Sequence, residues 1–323
     1  MAANFTSGWF GNNEHAWHGL GVVEPGTRPA RQAFELANAL FQVEKRELLY
    51  PVALGIDPET GVTSSSTQAS GVYGVVRTDT QEFFGAVSDQ YELVQNDSLL
   101  RMAEFIREEA DMDSVVVLGG GAKVAFTATL RGASEDIVPG DTMKRRLVGF
   151  LGHDGKTSVG AKFTDIRVVC QNTLAAMMRD SGAKQTLTHK QGVNGQFDSL
   201  IKSIDVARQS FSDDMDFLRT TAGVELGSFA EFVEQVYDVK DMMKFRKYRR
   251  LNTAYRFGMG SNYATGSVWN AINAVTQVET SPRDRQLTRN QRMSKFNSAN
   301  FGTGMNYAKK AIEVAKELMP AMV

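Results

Sequence analysis

The stretch KDMMKFRKYRRLNTAYRFGMGSNYATG, Lys240–Gly266, sets Lys244, Arg246, Lys247, Arg249, Arg250 and Arg256 among Phe245, Tyr248, Tyr255, Phe257 and Tyr263. A second set follows, in which Arg283, Arg285, Arg289, Arg292 and Lys295 stand with Phe296, Phe301 and Tyr307. Cations neutralise phosphates and release counterions, while aromatic faces stack unpaired bases. Brought to one groove, the two groups would hold a single nucleic-acid strand with little regard to its sequence. The expected binding residues are Lys244, Arg246, Lys247, Tyr248, Arg249, Arg250, Tyr255, Arg256, Arg283, Arg285, Arg289 and Arg292, with Tyr248 and Tyr255 as the stacking rings. Helices also bury Phe and Tyr, so roughly half of these aromatics are expected in the core. The arginines are harder to absorb. From Lys240 to Lys310 there are 14 Lys+Arg against 3 Asp+Glu, whereas Met1–Val239 carries 21 against 32. No helix-turn-helix, zinc-finger or zipper pattern accompanies them, which argues against duplex readout.

Other residues invite different chemistry. VVVLGGGAKVAFTATL, Val115–Leu130, has glycines and a lysine after a β-branched run, as a phosphate cradle does. A P-loop, however, needs Ser or Thr after its Lys and then a helix. Here Val124 follows Lys123, and Val124, Phe126 and Ala128 alternate with Ala125, Thr127 and Thr129 as in a strand. The glycines are therefore expected to turn a hairpin. His15, His18, His153, Asp154 and Cys170 are the candidates for a metal or nucleotide-processing site, but HxxH alone, without CxxC or HExxH, is a weak ligand pattern. Cys170 after Val-Val reads as a small buried residue. Asp213, Asp214 and Asp216 read as a solvated helix face. No catalytic residue, cofactor or resident metal is expected.

The elements that must position these groups fall into two halves. Phe34 and its neighbours in PARQAFELANALF have helical spacing; strands are expected near Glu47–Val52, and Gly55–Gly71 reads as a polar loop. Val75–Val87 reads as a hairpin turning at Thr78–Thr80, and a helix capped by Asn96 or Asp97 follows. HDGK, His153–Lys156, supplies a second tight turn between strands. After Ile166–Val169 the segment CQNTLAAMMRD is expected to turn helical. Further helices are expected at Phe197–Thr220, Ser228–Asp241, Thr265–Val278 and Asn306–Leu318, with Ser228 and Glu231 as a capping box. Strands first and helices later argue an α+β fold, with an antiparallel sheet built of hairpins in the N-terminal half and helices in the C-terminal half. The expected division is an irregular arm over 1–31, a β-rich core over 32–190, and a basic helical region over 191–323. The apolar share of 42% supports a real core. No apolar run approaches membrane-spanning length and the N-terminus lacks a signal-peptide pattern. One cysteine fits a reducing cytoplasm.

Several motifs, taken together, resemble a known group. AWHGLG (Ala16–Gly21), VVRTDT (Val75–Thr80), YELVQN (Tyr91–Asn96), LGHDGKTSV (Leu151–Val159), RVVCQNTL (Arg167–Leu174) and VWNAINAVTQ (Val268–Gln277) are similar to the phage/plasmid-like family built on domain of unknown function 932. The chain departs from that pattern at VETSPRDR, Val278–Arg285. The resemblance implies a phage, prophage or plasmid origin, with a bacterial cytoplasm as the compartment, and no activity. The strand order from Val115 to Val169 followed by a helix is also similar in shape to single-strand annealing recombinases. That likeness implies a homo-oligomer on single-stranded DNA, acting in recombination or replication without enzymatic chemistry. The alternatives are a metal-dependent or nucleotide-processing enzyme and a structural or host-interaction protein.

Overall fold

The structure, a computed structural model, describes residues 5–11, 21–24, 26–56, 63–157, 159–167, 173–175, 185–187, 197–241, 244–258, 261–280 and 303–319. The strands are β1 (Phe5–Phe10), β2 (Val22–Val23), β3 (Val43–Ile56), β4 (Thr63–Arg77), β5 (Phe83–Val87), β6 (Ala110–Leu118), β7 (Lys123–Asp136), β8 (Thr142–Gly152), β9 (Val159–Arg167), β10 (Thr173–Ala175) and β11 (Gln185–Leu187). The helices are α1 (Ala30–Leu36), α2 (Asn96–Phe105), α3 (Phe197–Gly223), α4 (Phe229–Tyr237), α5 (Tyr248–Phe257), α6 (Val268–Thr280) and α7 (Thr303–Leu318). The fold is α+β. One eight-stranded sheet has the order β10-β9-β8-β7-β6-β1-β2, with β11 also on β9, and a second sheet has the order β3-β4-β5. Every pairing is antiparallel except β1 with β2.

The period-two pattern shows directly in β8. Met143, Arg145, Leu147 and Leu151 are buried, while Lys144, Arg146, Val148 and Phe150 between them are half-buried. The buried row meets α2, and α3 packs on β7 and α6. Arg145 is the one charge in that row. Its guanidinium donates to Asp214 Oδ2 at 2.5 Å, to the Ala207 carbonyl at 2.6 Å and to Ser210 Oγ at 2.7 Å, and it lies over the Phe211 ring. Asp214 thus leaves the solvated acidic face expected of Asp213–Asp216: it turns inward to neutralise a buried arginine, and Asp213 and Asp216 alone stay exposed. Helix α6 is buried nearly all round and forms the centre of the helical layer, with α3, α5 and α7 against it. Its Trp269 donates to Asp141 Oδ2 at 2.8 Å and ties the helices to the β7–β8 turn.

Three local readings change. Thr63–Gly71 belongs to a strand, not a loop, because β4 pairs with β3 from Thr63 to Arg77. Thr173–Ala175 is a strand on β9 rather than the start of a helix. Phe5–Phe10 lies within the large sheet beside β6; Trp9 and Phe10 are both buried, so the segment shows no alternation. Asn96 does not cap α2. Its amide donates to the Phe41 carbonyl and its oxygen meets His153 Nε2, both in the interior.

Candidate nucleic-acid interface

Helix α4 begins at Ser228, whose hydroxyl accepts from the Glu231 amide at 3.3 Å, as the capping-box spacing predicts. The cap presents Phe229 to the following helix. Phe229 stacks on Tyr255 with ring centroids 4.1 Å apart and an interplanar angle of 8°, and it also meets Tyr248 at 6.4 Å. Leu251 and Ala254 are buried on the inner side of α5, and the Asn270 amide donates to the Tyr255 carbonyl at 3.0 Å. These contacts fix the rotation of α5 about its axis. One face of the Tyr255 ring is therefore occupied from within the fold. Burial, with a smaller contribution from Glu225, holds its phenol above the usual tyrosine range.

The outer side of α5 is different. Arg246 in the preceding turn, then Arg249, Thr253, Arg256 and Phe257, are exposed, Phe257 to 80%. Arg249 and Arg256 stand seven residues apart, two helical turns, which places them on one face about 10 Å from each other along the axis. Among the described residues none of Arg246, Arg249 and Arg256 forms an ion pair. The two local acids that the structure describes are already engaged: Asp241 pairs with Lys244 at 3.0 Å, and buried Glu279 accepts from Lys247 Nζ at 2.7 Å and from Tyr237 Oη at 2.6 Å. Lys247 also lies over the Tyr237 and Tyr307 rings. Arg250 is half-buried, engaged within the fold, and acts electrostatically on Tyr237. Burial and Glu279 together drive the Tyr237 phenol far above its ordinary range, so it stays protonated.

The structure therefore sorts the sequence candidates. Arg246, Arg249 and Arg256 come together on an exposed surface; Lys244 is exposed but paired; Lys247, Tyr248, Arg250 and Tyr255 face inward in part. Phe257 is the exposed ring, two positions from the tyrosine that spacing alone selects. Arg283, Arg285, Arg289 and Arg292 lie outside the described residues. The α5 face is also electrostatically unrelieved. No acid sits in the first turn of α5, while Arg249 and Arg250 occupy it, opposing the positive helix terminus. That arrangement costs helix stability and attracts anions.

The glycine turn and the histidine candidates serve the scaffold. Gly119–Gly121 form a short turn between β6 and β7, where Leu118 pairs with Lys123 and all three φ angles are positive. The Gly120 amide donates to Thr6 Oγ1 at 2.8 Å, and its carbonyl accepts from Arg77 at 2.7 Å. A Cβ at Gly120 would sit 2.1 Å from the Glu82 carboxylate, so an acid occupies the space that a phosphate would need. His153 is buried, held by Asn96 at 2.9 Å between Phe41 and Phe84. Asp154 accepts from the Lys156 and Thr157 amides and the Thr157 hydroxyl, closing the HDGK turn. Among the described residues no three His, Cys, Asp or Glu gather as metal ligands. His15, His18 and Cys170 lie outside the described residues. No described helix is long and apolar enough to cross a membrane.

A family model described as Domain of unknown function (DUF932) matches residues 83–300, 218 of 323 positions. The chain belongs to the DUF932 family. No curated protein and no solved structure matches it. Helix α5 and its arginine face fall inside the DUF932 region, whereas β3 and β4 precede it.

Proposed function

We propose that this DUF932 protein is a non-enzymatic single-stranded DNA-binding or annealing protein of a phage or plasmid, acting in recombination or replication in the cytoplasm of its bacterial host. The observation that carries this reading is the exposed set Arg246, Arg249 and Arg256, unpaired among the described residues and flanked by Phe257. Guanidinium groups bind phosphate through paired donors, and an exposed ring beside them stacks an unpaired base. The region around them carries a surplus of eleven positive charges between Lys240 and Lys310, which draws a polyanion from solution. Helix α5 tolerates cations at its positive end, and a bound phosphate chain would relieve that repulsion. The shape likeness to single-strand annealing recombinases and the phage or plasmid origin come from motif resemblance and give the setting.

The test is titration of a labelled single-stranded oligonucleotide at two salt concentrations. Binding that weakens as salt rises is the expected result. No binding at low salt would remove the proposal.

A further inference from the structure

The three-stranded sheet changes character along its length. β5 pairs with β4 only over Tyr73–Val76, but β3 and β4 remain paired beyond it, from Leu49 with Ala69 to Ile56 with Thr63. This extension is a two-stranded ribbon. Its strands read LLYPVALGI (Leu48–Ile56) and TSSSTQASGV (Thr63–Val72), nineteen residues without a charge in a chain that is 23% charged. Leu49, Tyr50 and Val72 are 59%, 46% and 40% exposed, and Ser65–Gly71 are exposed throughout. An isolated two-stranded ribbon is marginally stable in water.

The two edges of the ribbon are not equivalent. Along β3 stand Pro51 and two register irregularities, at Glu47/Leu49 and Ala53/Gly55. Proline and bulges are the devices that blunt an edge against further pairing. Along β4 from Thr63 to Val72 there is neither proline nor charge, and among the described residues no strand pairs with its outer edge. That edge continues the line of β5 and runs for about 30 Å at the usual rise per residue.

We propose that the outer edge of β4, Thr63–Val72, pairs antiparallel with the same edge of a second copy of this chain, giving a continuous β3-β4-β4-β3 sheet across a two-fold axis. An antiparallel backbone edge is complementary to itself under two-fold symmetry, so one patch serves both subunits. Charge selects the occupant. A like-with-like contact places identical side chains near one another, and charged residues there would repel; this edge has none. The same neutrality gives a basic or acidic partner nothing to recognise. The exposed Leu49 and Tyr50 flank the seam and lose water contact as the sheet doubles. The edge lies before the DUF932 region and over 160 residues from the arginine face in sequence, so the inference stands apart from nucleic-acid binding.

Sedimentation velocity on the full chain, freed of nucleic acid, is expected to show a dimer at micromolar concentration. Ser66→Lys and Thr67→Lys place a charge on either face of the edge at exposed positions. Each is expected to weaken dimerisation by roughly tenfold or more, since identical charges then meet across the axis. Amide hydrogen exchange of the unaltered chain is expected to show protection of Thr63–Val72 that rises with protein concentration. A monomeric wild-type chain, dimers unchanged by both substitutions, or concentration-independent exchange at this edge would each overturn the proposal.

Discussion

Replacing Arg249 and Arg256 together by alanine isolates the electrostatics of the α5 face. Both side chains are exposed and neither pairs with a carboxylate among the described residues, so the change should leave folding stability within about 0.5 kcal/mol. Its effect on binding follows from counterion release. Each phosphate neutralised on a single strand contributes about 0.7 to the slope of log affinity against log salt. Arg246, Arg249 and Arg256 together would supply about 2.1 of that slope, and the double variant would retain about 0.7 of it. Over a fourfold rise in salt, these contacts alone weaken wild-type binding by roughly 18-fold and variant binding by roughly threefold. Contributions from other cations add to both proteins and cancel in the difference. Fluorescence anisotropy of a labelled oligonucleotide over a salt series measures both slopes, and a thermal melt confirms equal folding. Equal slopes in the two proteins would refute the assignment of phosphate contacts to this face.

Three further outcomes are expected. Phe257→Ala should weaken single-strand binding by about 1–3 kcal/mol without lowering the melting temperature, because the ring is 80% exposed; loss of stability with unchanged binding would contradict the stacking role. Asp214→Ala should destabilise the fold by about 3–5 kcal/mol in urea unfolding, since it leaves Arg145 buried without its counter-charge; a change below about 1 kcal/mol would show that the pair is solvated. For Asp154, burial is the largest single influence and raises the pKa, but hydrogen bonds from Thr157 and Lys156 with the charge of Lys123 outweigh it and the net shift is downward. The stabilisation is therefore present above the unfolded carboxylate value of about 3.9 and is lost as pH falls through the lower folded value. The stability gap between wild type and Asp154→Asn should narrow in acid, and a gap independent of pH would exclude this account.

Where one sequence segment meets one environment, the fold was legible. The Gly119–Gly121 turn follows from the strand alternation after Lys123, the HDGK turn from its Asp-Gly pair, and the start of α4 from Ser228 and Glu231. Patterning is silent where a strand has two like faces. In the distal β3–β4 ribbon, side chains on both faces of β4 meet water, which makes its Ser/Thr run look like a loop. In β1 neighbouring Trp9 and Phe10 are both buried, and alternation disappears for the opposite reason.

The site was legible in composition but not in orientation. A surplus of arginine over acid is a property of the sequence. Which arginines keep their charge available depends on contacts distant along the chain: Glu279 takes Lys247 across 32 residues, and Asp214 takes Arg145 across 69. The stacking ring illustrates the same limit. Tyr255 and Phe257 are two positions apart on α5, about 200° around the axis. Only the position of Phe229 decides that the first turns inward and the second outward.

The most direct measurement is photo-crosslinking of a single-stranded oligonucleotide carrying a photoreactive base to the full-length chain, followed by mass spectrometry of the linked peptides. Attachment within Arg246–Phe257, lost in the Arg249→Ala, Arg256→Ala double variant, is the predicted result. Crosslinks confined to the β3–β4 ribbon or the large sheet would contradict a strand held on the α5 face.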